Sequence, residues 1–314
     1  MLEYLFGEGA EEVKSVFLEE NDDGNYRLKE EFNTQRKVED HFIANPLENK
    51  EQENLLKNGL FTLIGNVLFF EEPGSDGNAF HPKIAFHSTY SYKELDNHIK
   101  GVLNDIYTHY YYHRQENFWR EQAMVKLPAI NKASDMLICG EDLGMVPDCV
   151  PGVMHELGIL RLYIQRMPKE TDSEFGHPAN APYLSVASPS CHDMSTVRGW
   201  WEEDNDRSQR FYNLIMGNDG EAPIACDTWI SEEVLQQHLH SSAMWTIFPI
   251  QDLVSIDEKL MRENPKDERI NDPSNPDNLW QYRFHLNLGD LVKEKEFNKK
   301  LRSMVQNAGR ATRF

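Results

Sequence analysis

The chain has 314 residues, a formal net charge of −20 at pH 7 and 39% hydrophobic residues, enough for one large domain or two ordinary ones. A pI near 5.0 argues against nucleic acid and anionic membranes as partners, because both would repel a polyanion. Neutral ligands such as sugars meet no such barrier.

Residues 1 to 60 are acidic and read as helices, with Arg27 to Ile43 and Lys50 to Lys57 as examples. The apolar stretch Phe61 to Phe70 reads as a strand, and Glu72 to Asn78 as a loop by its turn chemistry. From Ser91 to Met124 apolar residues recur at helical spacing. This stretch is rich in Tyr107, Tyr110, Tyr111, Tyr112 and Trp119, which suit a helix face packed on a core. The second half changes character. Met136 to Cys139, Ile159 to Ile164, Leu184 to Ala187 and Met244 to Ile250 are four apolar runs with strand length. Helical patterns lie between them, at Val150 to Leu157, Ser208 to Met216 and Ser231 to His240, with Ser231 as an N-cap. Strands alternating with helices predict parallel βα units, which place function at the carboxyl ends of the strands in a barrel or an open sheet alike. Four strands are too few for a closed (β/α)8 barrel, which takes roughly 250 residues.

Two acids stand where such strands should stop. Glu141 follows the first run in Gly140-Glu141-Asp142-Leu143-Gly144, and Asp193 follows the third in Cys191-His192-Asp193-Met194. A carboxyl at the end of a buried strand is partly desolvated, which favours its protonated form and suits it to protonate a leaving glycosidic oxygen. A second reading makes Glu141 and Asp142 acids that favour the start of the following helix. An ionised Asp193 can hold sugar hydroxyls and stabilise an oxocarbenium-like charge, with His192 donating to a hydroxyl. Its bland alternative is the cap of a helix beginning at Met194. A metal held by Glu141, Asp142, His192 and Asp193 is disfavoured, because no two of them have ligand spacing on one helix face. Tyr183, Trp200, Trp201, Trp245 and Phe248 offer aromatic faces for sugar rings, or core packing. Nucleophile-elbow, dinucleotide and Walker motifs are missing, and no organic cofactor is expected. Cys139, Cys149, Cys191 and Cys226 form no C-x-x-C pair. With no apolar run of about 18 residues and no signal-peptide layout, a cytoplasmic setting is expected.

The segments Ile138-Cys139-Gly140-Glu141-Asp142-Leu143-Gly144-Met145-Val146-Pro147, His192-Asp193-Met194-Ser195-Thr196 and Arg198-Gly199-Trp200-Trp201 closely resemble the 4-α-glucanotransferases (amylomaltases or disproportionating enzymes) of the long plant-cytosolic and Bacteroidetes type. His81-Pro82-Lys83, Tyr111-Tyr112-His113-Arg114 and Arg269-Ile270-Asn271-Asp272-Pro273 with Trp280-Gln281-Tyr282-Arg283 add to the likeness, which runs from about residue 1 to 290. The resemblance implies retaining transfer of α-1,4-glucan segments between malto-oligosaccharides. It implies the C-terminal part of a (β/α)8 barrel over residues 131–314, lacking the first barrel strands, with a mainly helical inserted subdomain over 1–130. By position Glu141 matches the general acid/base, Asp193 the transition-state stabiliser, His192 its sugar-binding neighbour, and Asn271 a residue near the glucan site; Trp200 follows Asp193 closely enough to line the same cleft and is taken as a further substrate-binding candidate. Cys191 stands where the family motif usually has Thr, and Asp272 where small residues are common. The larger departure is the nucleophile. The family's Arg-x-Asp-His strand has no counterpart, and Lys37-Val38-Glu39-Asp40-His41 only echoes it. The chain is therefore expected to be the C-terminal part of a longer enzyme and nearly inactive alone. A non-catalytic carbohydrate-binding or scaffold protein and an α-glucan hydrolase are the alternatives.

Overall fold

The apolar runs of the second half meet as one parallel sheet in the computed structural model, which describes residues 2–22, 24–144, 146–169 and 173–311. The chain divides into two compact units, Met1–Gln115 and Glu116–Phe314.

In the first unit, α1 (Leu2–Phe6) and α2 (Ala10–Phe17) lead into a hairpin of β1 (Leu18–Glu20) and β2 (Tyr26–Leu28). Helices α3 (Gln35–Ala44) and α4 (Lys50–Ile64) follow. Two expectations change here. The helix expected from Arg27 starts only at Gln35, because the Thr34 hydroxyl caps it by accepting from the Lys37 N–H at 3.3 Å. The strand expected from Phe61 begins instead at Phe69. Leu56 and Leu60, four residues apart, form one buried face of α4 that packs with Phe17, Phe32, Val38 and Phe42, and that face carries α4 on to Ile64. Next, β3 (Phe69–Glu71) pairs antiparallel with β4 (Phe80–Pro82) across the expected loop. There Gly74 and Gly77 take left-handed backbone angles of φ 79° and 77°, which glycine adopts without steric cost. The Glu71 carboxylate accepts from the Gly77 N–H at 2.6 Å and ties the loop to its strand.

Helices α5 (Tyr90–Glu94) and α6 (Asn97–Thr108) come next, followed by a π-helical turn, His109–Arg114. Tyr107 packs edge-on against the fully buried Phe86 at 5.2 Å, and Tyr111 lies 4.7 Å from Tyr107. This part of the aromatic-rich stretch packs as expected.

The second unit takes up α7 (Gln115–Lys132) and then alternates. In order come β5 (Cys139–Gly140), α8 (Cys149–Leu157), β6 (Leu160–Ile164), β7 (Ser185–Ser188), α9 (Val197–Glu203), α10 (Asn205–Leu214) and α11 (Thr228–Leu239). They are followed by β8 (Trp245–Thr246), α12 (Ile250–Val254), α13 (Leu288–Leu291) and α14 (Lys295–Asn307). The sheet order is β5-β6-β7-β8, and every neighbouring pair is parallel. Gly140 pairs with Arg161, Ile164 with Ser188, and Ala187 with Thr246. Every residue of β7 is buried, as befits an inner strand covered on both faces. Helix α11 starts at Thr228, so Ser231 sits inside it and is buried rather than capping it. One core joins α9, α10 and α11 through Val197, Trp200, Trp201, Phe211, Ile230 and Val234. A second joins α11, α12 and α14 through Leu235, Leu239, Val254, Phe297 and Met304. Among the described residues no helix is long and apolar enough to cross a membrane.

Candidate functional site

Parallel pairing sends the carboxyl ends of β5 to β8 to one edge of the sheet. Glu141 leaves that edge directly after β5. The loop bearing His192 and Asp193 leaves it after β7, two inter-strand spacings or roughly 10 Å across the sheet. The two acids picked out by sequence thus depart from the same edge.

Around Glu141, division of labour is clear. Glu141 is exposed, and its carboxylate accepts from the Leu143 N–H at 2.8 Å. The partial burial expected for it is not found. The reason is that β5 is a two-residue edge strand with an exposed Cys139, not a buried inner strand. Burial falls on Asp142 instead, whose side chain is 1% exposed. Asp142 accepts from Arg161 Nε at 2.9 Å, from the Leu162 N–H at 2.9 Å and from Lys169 Nζ. Burial pulls the Lys169 pKa down, and the bond to Asp142 opposes that pull. Asp142 therefore fastens the segment holding Glu141 to β6. It does not start α8, which begins seven residues after Asp142, at Cys149.

The second group gathers at the tip of the loop after β7. Asp193 Oδ1 accepts from Asn271 Nδ2 at 2.7 Å, and its Oδ2 lies 3.3 Å from His192 Nε2. The Asn271 N–H donates to the His192 carbonyl at 3.1 Å, and Asn278 Nδ2 donates to Asn271 Oδ1 at 2.6 Å. The Trp280 ring, 60% exposed, lies 4.9 Å from the His192 ring. An exposed carboxylate, an imidazole, two amides and an open indole face together suit a hydroxyl-rich ring. Such a ring presents C–H groups to the aromatic face and hydroxyls to the polar groups. Asp193 caps no helix. The first helical residue after it is Val197, and Thr196 is the cap, accepting from the Gly199 N–H at 3.3 Å.

Trp200 is not in this cluster. It is 9% exposed and packs edge-on against Phe175 and Phe211, with the guanidinium groups of Arg166 and Arg207 at 5.2 and 4.6 Å from its ring. Its place on α9, among residues buried from Val197 to Trp201, turns it to the core. Sequence reasoning left out Trp280 and Asn278 as site residues. Their signal was a Trp and an Asn in a loop that lacks periodicity, where no packing role competes. Among the described residues no group of three or more His, Cys, Asp or Glu is placed to hold a metal ion.

Comparison with known proteins adds a family. A model described as 4-alpha-glucanotransferase matches residues 83–287. The chain is 40% identical over 313 residues to the 4-alpha-glucanotransferase DPE2 of Oryza sativa subsp. japonica, covering 99% of this chain and 33% of that protein. It is 29% identical over 178 residues to the 4-alpha-glucanotransferase of Chlamydia trachomatis, covering 55% of this chain and 33% of the relative. Among solved structures, the amylomaltase from Streptococcus agalactiae in complex with acarbose aligns with a TM-score of 0.45 and 22% identity, over 58% of this chain and 33% of that one. The chain spans about a third of the length of these curated relatives.

Proposed function

The chain belongs to the 4-alpha-glucanotransferase family, and from that premise we propose that it supplies the acid/base and stabiliser part of a site that transfers α-1,4-glucan segments between malto-oligosaccharides. The observation that carries the reading is the pairing of Asp193 with Asn271 and His192 on the sheet edge from which Glu141 also leaves. Glu141 protonates the departing glycosidic oxygen and then deprotonates the acceptor hydroxyl. Asp193 stabilises positive charge on the distorted ring, while His192 and Asn271 hold its hydroxyls. Trp280 offers the ring a face. Residues 131–314 serve as the C-terminal half of a (β/α)8 barrel and residues 1–130 as a mainly helical subdomain inserted in it. The setting is the cytoplasm, consistent with four free cysteines.

Retention requires a carboxylate nucleophile roughly 5–5.5 Å from the acid/base. No Arg-x-Asp-His occurs among the 314 residues. The purified chain is therefore expected to disproportionate maltotriose at a rate near background, since covalent catalysis is lost as a unit. Turnover at an ordinary enzymatic rate would overturn that assignment. Ligand binding is tested separately by saturation-transfer NMR with maltoheptaose. Contacts are expected with the wild-type chain and should weaken in Asp193→Ala and Trp280→Ala. Equal contacts in all three would remove the glucan site from this loop.

A further inference from the structure

Beneath the loop that carries His192 and Asp193 lies a set of ionic and polar groups that the proposed chemistry does not use. Arg166 follows β6 by two residues and points its fork at both ends of the neighbouring loop. Nε donates to the Pro189 carbonyl at 2.9 Å, Nη2 to the Ser195 carbonyl at 2.6 Å and Nη1 to the Thr196 carbonyl at 3.4 Å. Asp252, 1% exposed on α12, ties the same two ends from another side. It accepts from the Ser190 hydroxyl and, at 2.8 Å, from the Val197 N–H. Glu268, also 1% exposed, accepts from Thr196 Oγ1 at 2.9 Å and from Arg198 Nη1 at 2.7 Å. The loop is thus closed at its neck, residues 188–190 against 195–197, while its tip reaches the segment bearing Asn271.

We propose that Arg166 is the positioning residue of the Asp193 loop, its planar fork joining the two ends of the neck so that Asp193 is held toward Asn271. Only arginine has the geometry. Three donors in one plane can serve three carbonyls at once, whereas the single ammonium of lysine is a point charge on a flexible stem. Asp252 supplies the counter-charge and pins the flanking Ser190 and Val197. The functional meaning of the clamp rests on the reading that Asp193 serves the sugar site, but the clamp itself does not.

Cys191, partly exposed inside the loop, and Cys226, 3% exposed in the α9–α11 core, provide the test. The full chain and its Arg166→Lys and Arg166→Met variants are labelled with N-ethylmaleimide, and modification at each cysteine is followed by peptide mass spectrometry. In Arg166→Lys, which keeps the charge beside Asp252, Cys191 is expected to react about tenfold faster while Cys226 stays protected. Wild-type protection of Cys191 in Arg166→Lys would overturn the proposal, because charge alone would then suffice. Faster reaction of both cysteines in that variant would overturn it too, since the residue would then be holding the whole unit. Arg166→Met should show the larger local effect, and if it does not fold the lysine variant still decides. Maltoheptaose contacts by saturation-transfer NMR should weaken in Arg166→Lys together with the change at Cys191. A wild-type chain that shows no such contacts would refute the sugar site and leave the clamp to be decided by Cys191.

Discussion

Adjacent acids in one short segment carry opposite burdens. Asp142 is enclosed and takes hydrogen bonds from Arg161, Lys169 and the Leu162 N–H; Glu141, beside it, is open to solvent. In Asp142→Asn the amide must turn its donor either toward the Leu162 N–H or toward Arg161 and Lys169, which share one carboxylate oxygen and lose their counter-charge. Their side chains are 21% and 22% exposed, so water relieves part of the loss, and about 2–4 kcal/mol of unfolding free energy should go. Glu141→Gln should change stability by less than about 0.5 kcal/mol, as an exposed substitution does. Urea unfolding of the two variants checks this contrast. Equal destabilisation would mean that Asp142 is not the fastener. His238 gives a second residue-scale expectation. Burial pulls its pKa down to about 4, so the fold holds it neutral, with Nδ1 donating to the Val234 carbonyl at 2.7 Å. The unfolded chain binds that proton near pH 6.5. Stability from this group is therefore full above pH 6.5 and drains away as pH falls toward 4, by on the order of 2–3 kcal/mol. Asp252 and Glu268, whose pKa values are raised by burial, act in the opposite sense. The measurement is therefore the difference between wild type and His238→Gln across pH 7 to 4. A difference that stays constant with pH would exclude His238 as the source.

Among the elements, α8 shows how a single residue sets a boundary. It ends at Gly158, whose backbone is left-handed at φ 65° and whose N–H donates to the carbonyls of Met154 and His155. The turn delivers the chain straight into β6, where Ile159 and Leu160 are buried. Gly158→Ala should cost about 1 kcal/mol, because a Cβ is disfavoured in that region of backbone space. Nothing lies within 4 Å of the added atom, so thermal denaturation should report conformational strain alone. An unchanged melting temperature would mean the turn relaxes freely. This helix and the strands flanking it were legible in sequence. Apolar runs at 136–139, 159–164, 184–187 and 244–250 mark the four parallel strands, and the acids that follow two of them leave from the edge to which the proposed site is assigned. Other features were not legible. The hairpin of β1 and β2 is made of Leu-Glu-Glu and Tyr-Arg-Leu, whose charged residues carry no strand period. Trp200 reads in sequence as core packing ahead of a sugar platform, and the helix phase of α9 turns it to the core. The clamp under Asp193 joins residues 166, 189–197, 252 and 268, and no local pattern connects positions so far apart in sequence.

At the scale of the molecule, charge and sheet edges act against each other. A net charge of −20 at pH 7 keeps copies of the chain apart, and the pI of about 5.0 marks where that repulsion vanishes. Among the described residues the second unit presents two outer strands, β5 and β8, each paired on one side only. Beside them Met136, Leu137, Trp245 and Ile247 are 76%, 50%, 53% and 58% exposed. Unpaired strand edges flanked by apolar side chains are templates for association. The chain should therefore sediment as a monomer at pH 8 and low salt, and form larger species with rising concentration at pH 5. Trp245→Lys places a charge on the β8 edge that persists at pH 5, and it should shift that association to at least about tenfold higher concentration. If association at pH 5 is the same in the variant, the contact lies elsewhere on the surface. If wild type is equally associated at pH 8, repulsion between copies is not what keeps the chain apart.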